Sequence, residues 1–228
     1  MQTDKHIVIS LGGSLIFPDD IDSVFVKDFI KTISEYVDKG FKFVIITGGG
    51  KICRRYNSSI EEITNPTTTD LDWLGIAITR VNAEFVRIGF GDLAYQTIIL
   101  DPDNIPDTNK PVLIGAGWKP GNSSDLAAVH CAGSVGAKKV INLSNIDYAY
   151  DKDPKKFSDA QIIKEISWAD FRKLLPTEWN PGLNAPFDPV AAQKAEELGI
   201  EVSILNGKNI ENLKKYLNGE EFIGTVIK

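Results

Sequence analysis

The chain reads as an α/β protein with a mostly parallel central sheet covered by helices on both faces. Three observations predict this: short Val- and Ile-rich runs recur, longer helical patterns separate them, and glycine-rich turns follow the runs. His6–Leu11 is the first strand and ends at Gly12-Gly13. A helix over 23–39 follows, stopped by Gly40, a residue that accepts the left-handed backbone of a helix end. Residues 41–47 form a second buried strand that runs into Gly48-Gly49-Gly50, and a helix over 51–63 opens from that triplet. The polar segment 64–69 separates it from a helix over 70–90. There Leu71, Leu74, Ile78, Val81, Phe85 and Ile88 recur near a helical period, as on the stripe an amphipathic helix turns to a core. Asp72, Ile76, Arg80 and Ala83 make a separate stripe carrying an acid and a base. Further strands are predicted at 96–100, 112–114, 139–143 and 201–205. They alternate with helices at 124–133, Trp168–Leu174, Pro189–Leu198 and 210–217, and Gly199 stops the third of these. Residues 101–110, with two prolines, read as a surface connection, and 147–161 as a polar excursion above the sheet.

A length of 228 residues can bury a full core without disulfides, and the chain reads as one domain. Hydrophobic content of 43% and charged content of 25% suit a soluble globular protein, and no apolar run has the length of a membrane span. The start of the chain lacks the pattern of a signal peptide, so a cytoplasmic location is expected. Cys53 and Cys131 fit no metal or redox spacing and read as small apolar fillers. A formal charge of −6 and a pI near 5.0 argue against nucleic acid as a partner. An anionic substrate must then be met by local cations.

The glycine turns supply the chemistry. Gly48-Gly49-Gly50-Lys51 lets backbone N–H groups approach an anion without obstruction by Cβ, and the helix that follows brings Lys51, Arg54 and Arg55 to one side. Leu11-Gly12-Gly13-Ser14 is a second such turn. Residues 115–125 are a third, with Ser123, Ser124 and Asp125 as caps for the next helix. In an open parallel sheet all three fall on the rim at the carboxyl ends of the strands, where ligands gather. Neither stock phosphate motif is present. Gly50-Lys51 is followed by Ile52 rather than Ser or Thr, and three residues instead of two separate Gly117 from Gly121. His6 and His130 read as structural, the latter within an apolar helix pattern.

The order of motifs resembles the amino acid kinase superfamily, and within it the archaeal-type uridylate (UMP) kinases. The resemblance rests on Leu-Gly-Gly-Ser at 11–14, Thr-Gly-Gly-Gly-Lys at 47–51, Ile-Thr-Arg-Val-Asn-Ala at 78–83, Gly-Trp-Lys-Pro-Gly-Asn-Ser-Ser-Asp at 117–125, Asn-Leu-Ser-Asn-Ile-Asp-Tyr-Ala-Tyr-Asp-Lys-Asp-Pro at 142–154 and Pro-Phe-Asp-Pro-Val-Ala-Ala at 186–192. It implies a three-layer α/β/α fold, with a UMP site in the N-terminal half, an ATP site in the C-terminal half, Mg²⁺ held mainly by nucleotide phosphates, and a homohexamer.

By the same resemblance Gly12, Gly13 and Ser14 cradle the β- and γ-phosphates, Gly49 and Gly50 lie where acceptor and donor phosphates meet, and Arg54 reaches the transferring group. Asp72 binds the acceptor ribose, while Gly117, Trp118, Lys119, Pro120, Gly121, Asn122 and Ser123 wrap the UMP phosphate and base. Ser144, Asn145, Tyr150 and Asp153 belong to the ATP segment, and Asp188 helps to organise the catalytic cations. Each has a plainer reading: Asp72 as a first-turn acid, Arg80 as half of a surface ion pair, Trp118 and Tyr150 as packing aromatics, Asp188 as a helix cap before Pro189.

One position departs from the wider superfamily. Where many members place a catalytic lysine, two residues before Gly-Gly, this chain has Ser10, counted here with the ATP-contacting residues. Archaeal-type UMP kinases also lack that lysine. Lys5, Lys51, Lys119 and Lys208 are the cations available to replace it, with Lys208 preferred. The departure leaves open a kinase of another small phosphate or carboxylate, and a nucleotide- or oxyanion-binding storage or sensor protein without turnover.

Overall fold

The computed structural model describes residues 6–175 and 185–228. Lys5 lies outside the described residues. The strands are β1 (His6–Leu11), β2 (Lys42–Thr47), β3 (Val112–Gly115), β4 (Lys139–Ser144), β5 (Ala149–Tyr150), β6 (Ile162–Ile163), β7 (Glu165–Ile166), β8 (Glu201–Asn206) and β9 (Thr225–Ile227). The helices are α1 (Gly13–Ile16), α2 (Ser23–Val37), α3 (Gly50–Ile63), α4 (Thr68–Phe90), α5 (Ser124–Val135), α6 (Trp168–Leu174), α7 (Pro189–Leu198) and α8 (Ile210–Asn218). A 7-stranded sheet runs in the order β3-β2-β1-β4-β8-β9-β7. Its first five strands are parallel; β9 runs antiparallel to β8 and parallel to β7. β5 and β6 form a separate antiparallel pair within the excursion expected above the sheet.

Strand alternation divides the core into two layers. Val8, Val44, Ile46 and Val140 face the side covered by α5, α6 and α7, while Ile9, Leu11, Phe43, Ile45, Ile141 and Leu143 face α1, α2, α4 and α8. Nearly every strand residue is buried on one side or the other, which is why these strands read as continuous apolar runs. Chain order reverses at β1, which lies between β2 and β4, so the crevice of the fold opens at the carboxyl end of β1.

Two expectations are corrected. Residues 96–100 make one isolated bridge, Ile99 to Gly115, and no strand; a second bridge, Ala94 to Val112, lies just before them. The other correction concerns α4. Its buried residues are Ile76, Thr79, Asn82, Ala83, Val86 and Phe90, whereas Val81, Phe85 and Ile88 of the expected core stripe are exposed. The helix is apolar on more than one side, and its sheet-facing row includes Thr79 and Asn82, polar residues with partners in the loops above. Its start is also earlier than expected: Thr67 caps it, and Asp70 closes a capping box by accepting from the Thr67 backbone N–H.

Candidate active site

Two glycine loops interlock at the ends of β1 and β2. The Gly48 N–H donates to Leu11 O at 2.9 Å and the Gly12 N–H to Leu143 O at 2.8 Å, so the loops are laced across β1 to both neighbours. A Cβ on Gly13 would stand 2.2 Å from Gly50 N and 2.4 Å from Gly48 O. One on Gly50 would stand 2.3 Å from Gly13 O, and Gly50 has φ +73°, in the region that favours glycine. Only hydrogen fits between these backbones. From α4, Asn82 Nδ2 donates to Gly48 O at 2.8 Å and to Gly49 O at 3.3 Å, fixing the second loop from below. Backbone left uncovered in this way is suited to holding phosphate oxygens.

The cations of α3 divide between two partners. Arg54 Nη2 donates to Ser14 Oγ at 3.4 Å, across the seam between the loops. Lys51 pairs with the Asp19 carboxylate, and Arg55 Nη1 donates to Asp19 O at 3.1 Å. The hydrogen bond and charge of Lys51, with Arg55 and Lys208 behind it, hold the Asp19 carboxyl below its ordinary range. Lys208 follows β8, where its N–H donates to Asn206 Oδ1 at 3.1 Å. A Cβ on the preceding Gly207 would stand 2.2 Å from Leu15 Cδ1, so this turn packs against α1 on the same rim.

The loop after β3 is tied at two points to one side of α4. The Gly117 N–H donates to Thr79 Oγ1 at 2.8 Å, and the Gly121 N–H donates to Asp72 Oδ2 at 2.8 Å. Residues 72 and 79 lie two turns apart on a common face, so Trp118, Lys119 and Pro120 arch between fixed ends. Lys119 Nζ sits 3.8 Å from the centre of the Trp118 ring, and that ring lies 5.3 Å from His130. Asn122 Nδ2 donates to Pro120 O at 3.0 Å, and Ser123 caps α5 by accepting from the Leu126 N–H. His130 is not a core residue: its Nδ1 lies 2.8 Å from Asp103 Oδ1 at the outer side of α5.

Behind the glycine loops is a buried carboxylate. Ser10 and Asn142 are register partners on β1 and β4, so strand alternation turns both toward α5. Ser10 Oγ donates to Asp125 Oδ1 at 2.7 Å, Asn142 Nδ2 to the same oxygen at 3.1 Å, and the Asp188 N–H to Asp125 Oδ2 at 3.3 Å. Burial pushes the Asp125 carboxyl up to about 6; the Ser10 bond opposes this and the nearby Asp188 charge adds to it. Burial also raises Asp188, which caps α7 by accepting from the Ala191 N–H at 2.6 Å. Ser10 is 3% exposed and committed to Asp125, so it organises the floor of the crevice and does not reach out to a nucleotide.

In the C-terminal half, Ser144 ends β4 and its carbonyl accepts from the Gly207 N–H at 2.8 Å. Asn145 lies in the turn beyond it, and Tyr150 is half-buried on β5. Asp153 Oδ1 accepts from the Lys155 N–H at 2.9 Å, closing the turn that follows β5. Asn206 Nδ2 donates to Asp147 Oδ1 at 3.0 Å and ties the excursion to the end of β8.

The sequence profile of the amino acid kinase family matches residues 5–206. The chain belongs to the amino acid kinase family. It is 32% identical to the uridylate kinase of Methanobrevibacter smithii, over 97% of this chain and 98% of that one. Identity to the uridylate kinase of Methanothermobacter thermautotrophicus is also 32%, over the same shares. The crystal structure of uridylate kinase from Archaeoglobus fulgidus superimposes with a TM-score of 0.84 at 30% identity, covering 97% of this chain and 99% of that one. The UMP kinase structure from Bacillus anthracis, at 18% identity and a TM-score of 0.77, shares the fold.

This amino acid kinase brings Gly12, Gly13, Ser14, Gly49, Gly50 and Arg54 together at one seam, and ties Asp72 to the 117–123 loop. Asp188 caps α7, as its plainer reading has it, and its N–H donates to Asp125. Sequence reasoning took Asp125 for a cap only. The signal that could have found it was a polar residue near the end of two otherwise apolar strands, Ser10 and Asn142, which need a buried partner.

Proposed function

We propose that this amino acid kinase is a uridylate kinase, transferring the γ-phosphoryl group of ATP to UMP to give UDP and ADP. The observation that carries the reading is the interlock of Gly13 with Gly48 and Gly50. Two backbone cradles share one seam, so a donor phosphate over residues 12–14 and an acceptor phosphate over residues 48–50 would be neighbours. The relatives named above support UMP as the acceptor.

Phosphoryl transfer asks the protein for in-line positioning and charge stabilisation rather than covalent chemistry. Gly13 and Gly50 supply backbone donors, and Arg54 is placed at the seam to meet charge that develops there. Asp72 holds the 117–123 loop and faces the acceptor ribose; Trp118, Lys119, Pro120, Asn122 and Ser123 enclose the UMP end. Ser144, Asn145, Tyr150 and Asp153 line the adenosine end, with Lys208 as the cation that stands in for the missing lysine.

The residues present fit a Mg²⁺ ion carried in on the nucleotide. The seam offers peptide groups and cations; behind it Asp125 is bonded to Ser10 and Asn142, and Asp188 accepts from the Ala191 N–H through Oδ1 while its buried Oδ2 makes no hydrogen bond among the described residues. The phosphates would therefore supply most of its ligands, and the ion would neutralise phosphate charge. In this reading the chain acts as one domain in cytoplasmic pyrimidine nucleotide synthesis, as a homo-oligomer and, by family resemblance, a hexamer.

A coupled ADP-release assay across nucleoside monophosphates and small carboxylate acceptors tests the proposal. Turnover should require UMP. Turnover on another acceptor, or ATP binding without any acceptor-dependent release, would defeat it.

A further inference from the structure

The loop after β3 is pinned to α4 at its ends, by Gly117 to Thr79 and by Gly121 to Asp72, and neither bond holds the side chains of the arch between them. The middle of the arch is held from α5. Trp118 packs on His130, with ring centres 5.3 Å apart and planes tilted by 57°. Lys119 Nζ rests 3.8 Å from the centre of the same indole, and no ion pair of the described residues includes it, so the indole is what steadies this ammonium. His130 is itself propped. Val129 and Cys131 on either side of it are fully buried, whereas the imidazole stands at the surface of α5 with its side chain 21% exposed. Its Nδ1 lies 2.8 Å from Asp103 Oδ1; a carboxylate oxygen only accepts, so Nδ1 carries the proton. Asp103 is set by its own turn, where its N–H donates to Asp101 Oδ1 at 3.1 Å. Carboxylate, imidazole, indole and ammonium thus form one line of contacts from the 101–110 connection into the arch.

We infer that His130, held by Asp103, is a positioning residue for the phosphoryl acceptor: it fixes Trp118 and through it keeps Lys119 in place to meet an anionic acceptor. A leucine at position 130 would cover the indole as well. What the imidazole adds is direction, because the bond to Asp103 fixes the rotation of one ring and that ring fixes the next. Without this support the acceptor itself must order the arch, which weakens its binding and leaves the transfer step alone. The role rests on the reading of residues 117–123 as the acceptor loop.

Initial rates with ATP and UMP test it. His130→Ala and Asp103→Ala should each raise the KM for UMP about three- to tenfold, with kcat and the KM for ATP changed by less than about twofold. The double variant should be no worse than either single one, because both remove the same support. Asp103→Asn, which keeps an acceptor oxygen for Nδ1, should recover most of the loss. Ser134→Ala is the control: its hydroxyl ties the same connection to α5 through Pro102 O, at 2.9 Å, by a bond that does not involve Trp118, and the KM for UMP should not move. Acrylamide quenching of tryptophan emission, measured without nucleotide, reads the support directly. His130→Ala should raise it in the parent chain and not in a Trp118→Phe background. Asp103 is 53% exposed, so its arm stands even if His130→Ala fails to fold. An unchanged KM for UMP in the folded single variants, an equal rise in the KM for ATP, additive losses in the double variant, or unchanged quenching would overturn the inference. Absence of UMP turnover in the wild type is a different failure: it would overturn the uridylate kinase reading, and this role with it.

Discussion

The hydroxyl of Ser10 donates to the carboxylate of Asp125 across 2.7 Å, joining β1 to the first turn of α5 directly before the glycine loop. Where many relatives by resemblance carry a lysine, this chain uses a short neutral donor, and the carboxylate it meets lies in the half-buried first turn of α5. Three donors and the adjacent helix start hold that charge instead of an ammonium group.

Removal of the Ser10 hydroxyl leaves a buried carboxylate oxygen with one donor fewer. Ser10→Ala should therefore cost about 1–3 kcal/mol of stability, measured by urea unfolding at neutral pH. No loss would show that Asn142 and the Asp188 N–H hold Asp125 without help.

The Asp125 carboxyl also gives a pH signature. Its folded pKa, about 6, lies above the ordinary value of 3.8. The folded chain thus binds more protons than the unfolded chain between these values, and the Asp125 contribution to stability falls as pH rises through that window. Asp125→Asn removes this dependence. The stability difference between variant and wild type should move in the variant's favour by about 2 kcal/mol between pH 4 and pH 7. Parallel curves across that range would contradict the buried, raised carboxyl.

Gly13→Ala would place a methyl group 2.2 Å from Gly50 N and force the two loops apart. An expected loss of roughly 1–3 kcal/mol accompanies such overpacking, together with a large rise in the KM for ATP. Gly121→Ala provides the comparison, because nothing lies within 4 Å of its Cβ position although its φ of +78° still strains an alanine. Equal KM values for the two variants would rule out a role for the interlock in nucleotide binding.

Asp72→Ala frees the Gly121 N–H and with it one end of the 117–121 arch. The KM for UMP should rise about tenfold or more, with the KM for ATP little changed. An effect confined to ATP would place Asp72 in the wrong half of the site.

Much of the fold was legible because a parallel sheet buried on both sides writes its strands as apolar runs, and glycines mark where they stop. Pro189–Leu198 was bounded by its proline at the start and Gly199 at the end. β9 escaped notice because three residues carry no periodic signal, and 96–100 was misread because Ile98 and Ile99 pack on the sheet's edge without joining its ladder. The phase of α4 could not be read from periodicity, since a second apolar row on the same helix gives the same signal as a core-facing one. For the site, the glycines and Arg54 were visible as local motifs. Asp125 was not, because its meaning comes from Ser10 and Asn142, brought beside each other by the β1–β4 register and separated in sequence by more than half the chain.

The central claim is that Arg54 stands at the seam where the two phosphates meet. Its side chain's only hydrogen bond among the described residues is the one to Ser14, so truncating it should leave the fold intact. Single-turnover transfer of labelled γ-phosphate from ATP to UMP, compared between wild type and Arg54→Ala, tests this most directly. Labelled UDP should form on the wild type, and in the variant its formation should slow by about 100-fold or more while UMP binding is retained. No labelled UDP from the wild type, or equal rates in the two, would contradict the account.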